Sequence, residues 1–111
     1  MIVKIKKNKL EKADEKIILL AIVGNLEAIK KGGITIDEAE KFLFSPHMIN
    51  KLRAQMCDEK IVEIITKGCE LEDISSLIPE KLNDVINELM EESISLIKEY
   101  DELNEFFWIE E

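Results

Sequence analysis

The chain has 111 residues, a formal net charge of −9 and an apolar content of 46%. That length suits one domain and buries about 65% of the unfolded surface, enough for a core without disulfide or metal. Charged residues make up 35%, with only four Gly and two Pro, which argues against disorder and favours helix. The acidic balance also disfavours direct binding of DNA or RNA, whose phosphates it repels.

The charge is unevenly spread. Residues 1–16 carry six Lys against three acids, a net of +3, and residues 17–69 carry seven of each. Residues 70–111 carry fourteen acids against Lys81 and Lys98, a net of −12. Such a surface attracts basic partners and speeds their association, or simply keeps a helical surface soluble.

In chain order, residues 1–9 form a basic arm, and "IVKIK" at 2–6 alternates weakly enough to suggest a short strand. The pairing of "KIKKNK" with the apolar run Ile17–Val23 resembles a leader, but Glu11, Asp14 and Glu15 interrupt it. The run is seven residues long, against about 20 for a membrane span. We expect a core helix of a soluble, cytoplasmic protein, running from about Leu10 or Asp14 to Lys31. Its apolar residues cover every face, which predicts the most enclosed helix of the fold. Gly32-Gly33 ends it, glycine being suited to a left-handed cap.

"TIDE" opens the second helix, with Thr35 as N-cap and Glu38 completing a capping box. It presents Ile36, Ala39, Phe42 and Leu43. Ser45 and Pro46 restart the chain as cap and first helical residue. That third helix offers Met48, Ile49, Leu52 and Met56. Asp58 caps a fourth, apolar at Ile61, Val62, Ile64 and Ile65 and closed by Gly68. "GCELEDISSLIPEKL" follows. Leu71, Ile74, Leu77 and Ile78 space a short turn of helix, with Glu70, Glu72 and Asp73 at its start, where backbone N–H groups lack partners. Glu70 is the carboxylate expected to accept several of them.

Pro79 begins the last helix, to about Asn104. Leucines stand at 82, 89, 96 and 103, but Glu92 and Glu99 fall where a zipper seam needs apolar residues, so the stripe suits a globular core. Residues 105–111 form an aromatic and acidic tail around Phe106-Phe107-Trp108. The expected fold is all-α, one compact bundle of five to six helices with its core at 10–104. Ile17, Leu20, Ala21, Leu43, Leu52, Ile61, Ile65, Leu77, Leu82, Ile86 and Leu89 are the expected buried set.

No arrangement of catalytic residues stands out. His47 is the one imidazole, and Ser45 beside it has a capping task. Glu70 and Glu72 are two apart, which points them to different faces of a helix. Cys57 and Cys69 lie twelve apart with no CxxC spacing, so free thiols are expected and no metal or other cofactor. Gly32-Gly33 follows a helix, not the strand a phosphate loop needs.

Two segments, "LEAIKKGGITIDEAEKFLFSP" (26–46) and "VEIITKGCELEDISSLIPEKL" (62–82), resemble a family of short bacterial proteins of unknown function. The resemblance reaches most of residues 17–100, with the arm and the aromatic tail departing from it. It implies no catalytic residue. Size, helical build and acidity are also similar to those of immunity proteins, which neutralise a toxin inside the cell that makes it. The expectation is a non-catalytic protein-binding module, an immunity- or antitoxin-like inhibitor of a basic toxin, using Glu70, Glu72, Asp73, Glu88, Glu91, Glu92 and Glu99. The alternative is a structural or regulatory helical protein, a homodimer through its last helix.

Overall fold

A computed structural model describes residues 9–103. The proposed strand at 2–6 and the tail around Phe106-Phe107-Trp108 lie outside the described residues. All regular structure among the described residues is helical: α1 Lys12–Lys30, α2 Ile36–Phe42, α3 Pro46–Ala54, α4 Glu59–Gly68, α5 Leu71–Leu77 and α6 Leu82–Ile97, with a 3-10 turn at Pro79–Lys81. Only α1, α3, α4 and α6 are full helices; α2 and α5 are seven-residue connectors. The body is therefore built on four helices instead of five to six.

Local chemistry starts and stops these elements largely as expected. Glu11 and Asp14 form a capping box on α1, the Glu11 N–H donating to Asp14 Oδ2 at 2.8 Å. Gly32, just past the α1 C-terminus, takes the left-handed conformation, φ +79°. Thr35 Oγ1 accepts from the Glu38 N–H at 3.0 Å, Ser45 Oγ from the Met48 N–H at 3.2 Å, and Asp58 Oδ1 from the Lys60 N–H at 2.8 Å. The end of α3 is less ordinary. The Met56 N–H donates to the Arg53 carbonyl and the Cys57 N–H to the Leu52 carbonyl, the two bonds of a Schellman turn. The left-handed residue in it is Met56, φ 59°, where glycine would be unstrained.

Helices α1 and α6 lie antiparallel along most of their length. Lys30 Nζ donates to Asn87 Oδ1 at 2.9 Å near one end, and Lys16 Nζ to the Asp101 carbonyl at 2.9 Å near the other. Helix α4 packs on both, and α3 packs on α4. Ile18, Leu19, Ile22 and Leu26 of α1 meet Ile61, Val62, Ile64 and Ile65 of α4 and Ile86 and Leu89 of α6 in one core. Phe44 enters it from the α2–α3 junction and comes to rest on Gly68.

Several expected burials are corrected. Leu20 is 45% exposed and Leu77 79%, while Ile17, Ala21 and Leu82 are half-buried. Helix α1 has neighbours on one side only, so an apolar run covering its whole circumference still buries a single stripe. Leu77 falls at the end of α5, where the chain turns into the 3-10 segment before the core is reached. Met56, named among the apolar residues of the third helix, lies beyond it in a left-handed turn and is exposed. Helix α6 ends at Ile97 and not near Asn104; Tyr100 beyond it folds back toward α1. Gly68 closes α4 as its last residue, and it also serves packing, because a Cβ there would run into the Phe44 ring.

Candidate functional site

An open groove of about 550 Å³ lies between α4 and α6. It is lined by Lys60, Glu63 and Ile64 from α4 and by Glu88, Glu91, Glu92, Ser95 and Leu96 from α6. The spacing explains the convergence. Residues 60, 63, 64 and 67 lie on one face of α4, and 88, 91, 92 and 95 lie on one face of α6. Buried Ile64 and half-buried Leu96 form the apolar floor. Four carboxylates face one lining cation, and Lys67 Nζ reaches across to Glu92 Oε1 at 3.2 Å. That exposed pair is worth little in energy, but it ties the walls together.

The seven expected site residues divide between two surfaces. Glu88, Glu91 and Glu92 line the groove. Glu99 is exposed beyond the α6 C-cap and does not line it. Glu70, Glu72 and Asp73 are exposed at the start of α5, beside α2. There they join Asp37 and Glu40, which the sequence did not connect with them. The hydrogen bond between the Glu40 and Glu72 side chains raises the Glu40 carboxyl above its ordinary range, helped by burial and by the charges of Glu72, Asp37 and Asp73. Glu70 makes no side-chain capping bond at α5, so its expected role as acceptor of several N–H groups is withdrawn. It stands where α4 passes almost directly into α5, with a helical backbone of its own, and no extended cap geometry forms for its carboxylate to use.

The carboxylate that does this work is Glu15, which sequence reading passed over as an interruption of a leader. It is 4% exposed. Glu15 Oε2 accepts from the Asp58 N–H at 2.7 Å, and Oε1 accepts from the Tyr100 hydroxyl at 3.1 Å. Lys12 Nζ lies 3.6 Å from Oε1 and 5.7 Å from the Tyr100 ring centroid. One side chain thus joins α1, the start of α4 and the segment after α6. The residue spacing contains no signal for it, because its partners are 43 and 85 positions away.

This carboxylate also adds to the effect of burial on the neighbouring thiol and phenol. Burial first, then the Glu15 charge, pushes the Cys57 thiol up to about 12. The same two causes, in the same order, raise Tyr100. Burial raises Cys69 as well, followed by the charges of Glu40 and Glu70. Both cysteines are free thiols, and thiols so shifted are weak nucleophiles at neutral pH. Ser45 is engaged as a cap, and the His47 ring is exposed with no hydrogen-bond partner among the described residues. Among those residues no group of three or more His, Cys, Asp or Glu is placed to hold a metal ion, and no helix is long and apolar enough to cross a membrane.

A family model described as "Protein of unknown function (DUF3969)" matches residues 7–110. The chain belongs to this family. Comparison with curated proteins and with solved structures gave no match. The family match, over residues 7–110, is wider than the resemblance over 17–100. It brings no likeness to immunity proteins, which rests on size, build and charge alone.

Proposed function

We propose that the protein is a non-catalytic protein-binding module of the cytoplasm that docks a basic partner in the α4–α6 groove. Its most concrete form is an immunity-type inhibitor of a basic toxin domain. The observation that carries the reading is the groove itself: Glu63, Glu88, Glu91 and Glu92 around an apolar floor of Ile64 and Leu96. Acidic walls steer a basic protein and fix its register, and a desolvated apolar floor supplies affinity. The exposed acids of α5 add long-range attraction without a concave surface to grip.

The test captures partners from native extract with the wild-type protein and reconstitutes binding with the purified partner. Reversing Glu63, Glu88 and Glu91 to Lys is expected to weaken binding at least tenfold, with a shallower salt dependence. Reversing Glu70, Glu72 and Asp73 is expected to reduce mainly the association rate. If the second variant loses binding and the first keeps it, the groove is the wrong surface. A partner that arrests growth alone, and is silenced by co-expression of this protein, supports the inhibitor reading; a harmless partner removes it and leaves the module.

One observation favours the alternative, a structural or regulatory homodimer through α6. Leu20 and Ile94 are both exposed, and helical spacing from Lys16 and Asn87 puts them along the bonded edge of the α1–α6 pair. Light scattering after size exclusion decides it: a dimer that Leu20→Glu with Ile94→Glu converts to monomer supports this reading, and a monomeric wild type ends it.

A further inference from the structure

A second, smaller cavity of about 340 Å³ lies between α1 and α2, away from the acidic groove. It is lined by Gly24, Asn25, Ala28, Ile34, Glu38 and Phe42. Asn25 is the unusual member. It is 8% exposed, and its amide nitrogen donates to the Ala21 carbonyl at 2.7 Å, which sets the orientation of the amide. No donor among the described residues reaches its Oδ1. Since no fully buried side-chain oxygen there lacks a partner, this atom keeps its opening to the cavity. An amide oxygen that stays accessible and has no protein donor is left to accept from water or from a ligand.

The remaining lining says what kind of partner. Glu38 lines the cavity, its backbone N–H donating to Thr35 Oγ1, and no cation pairs with its carboxylate among the described residues. The neighbouring Asp37, by contrast, is paired with Lys41 at 3.1 Å. Phe42, one turn after Glu38 on the same face of α2, is 62% exposed. No Lys, Arg or His lines the cavity. The cavity closes against the last turn of α1, whose carbonyl end carries partial negative charge. The site therefore presents an aromatic face, a carboxylate and an unused amide oxygen, and calls for a donor-rich cation. A planar guanidinium satisfies all three together: it stacks on a ring while its fork reaches two acceptors. The volume lies at the low end of the 300–1,000 Å³ typical of ligand sites, which suits one side chain and not a whole cofactor.

We infer that the α1–α2 cavity is a binding pocket for a single arginine side chain presented by another protein, with Glu38 and Asn25 Oδ1 accepting from the guanidinium and Phe42 stacking on it. The pocket stands independently of the α4–α6 groove and of whatever docks there. The test is a titration of the full chain with N-acetyl-arginine amide, followed by NMR at the Gly24 backbone amide and the Asn25 side-chain amide. Saturable shifts at both are expected. N-acetyl-citrulline amide, neutral and of the same shape, is expected to produce none. Glu38→Gln should weaken the arginine probe about tenfold. Gly24→Leu should abolish the shift of Asn25 by filling the cavity, since a Cβ at Gly24 meets nothing within 4 Å and leucine is the better helix former; thermal unfolding confirms that this variant folds. The inference is overturned by equal binding of the citrulline probe, by full binding to Gly24→Leu, or by the absence of a saturable shift. Tighter binding of free L-arginine than of the blocked form also overturns it, by assigning the pocket to a metabolite.

Discussion

Glu15, in the first turn of α1, and Glu70, at the junction of α4 and α5, carry the same carboxylate into different surroundings. Glu15 is buried and accepts bonds from the Asp58 N–H and the Tyr100 hydroxyl, joining three parts of the chain. Glu70 is exposed and caps nothing through its side chain. Judged by neighbours in sequence, the roles reverse: Glu70 sits in an acidic knot beside a glycine, and Glu15 in a polar lead-in to an apolar run. What separates them is access to unpaired donors in a place from which water is excluded. That depends on which distant segments arrive, not on adjacent residues.

The widest separation is expected from truncation at each position. Glu15→Ala leaves a phenol and a backbone N–H without their acceptor, and should lower stability by about 2–3 kcal/mol in urea unfolding. A loss below about 1 kcal/mol would show that water replaces the carboxylate and that the junction is not a clamp. Beside Glu70, the weight falls on the glycine. Gly68→Ala forces a methyl against the Phe44 ring and should cost about 1–3 kcal/mol. A neutral result would mean that Phe44 moves aside easily.

The Glu15 end should also reveal itself through pH. Cys57 and Tyr100 are both raised in the folded protein, so folding favours their protonated forms. Their contribution is fully present below the ordinary thiol value of 9.0 and is lost as pH rises toward about 12. The urea midpoint should therefore fall across that window. Cys57→Ser with Tyr100→Phe should flatten the fall relative to wild type; an unchanged slope would place its origin elsewhere.

Relief of strain at Met56 sharpens the contrast from the other direction, because this turn delivers Cys57 and Asp58 to Glu15. Met56→Gly removes the cost of a left-handed side-chain residue and should raise stability by up to about 1 kcal/mol. Destabilisation would mean that the flexibility gained when unfolded outweighs the strain. The smallest effect belongs to Glu70→Gln, expected within about 0.5 kcal/mol of wild type. A loss above about 1 kcal/mol would show that the Glu70 carboxylate accepts backbone N–H bonds after all.

The sequence by itself determined the helical class, much of the punctuation and part of the core. Thr35, Ser45, Asp58 and Gly32 act through bonds and torsions that span a few residues, so they read directly. Ile61, Ile65, Ile86 and Leu89 are buried because helical spacing alone assigns them to one face. Three carboxylates of the groove, Glu88, Glu91 and Glu92, were visible as a charged face of α6. Tertiary structure alone decided that Glu63 of α4 faces them, that Glu70, Glu72 and Asp73 belong to a separate patch with Glu40, and that Asn25 opens into a cavity. It also decided that Leu20 and Leu77 stay exposed and Glu15 does not. Each of these depends on which surfaces meet across tens of residues, and periodicity gives the faces of a helix without saying which of them is covered.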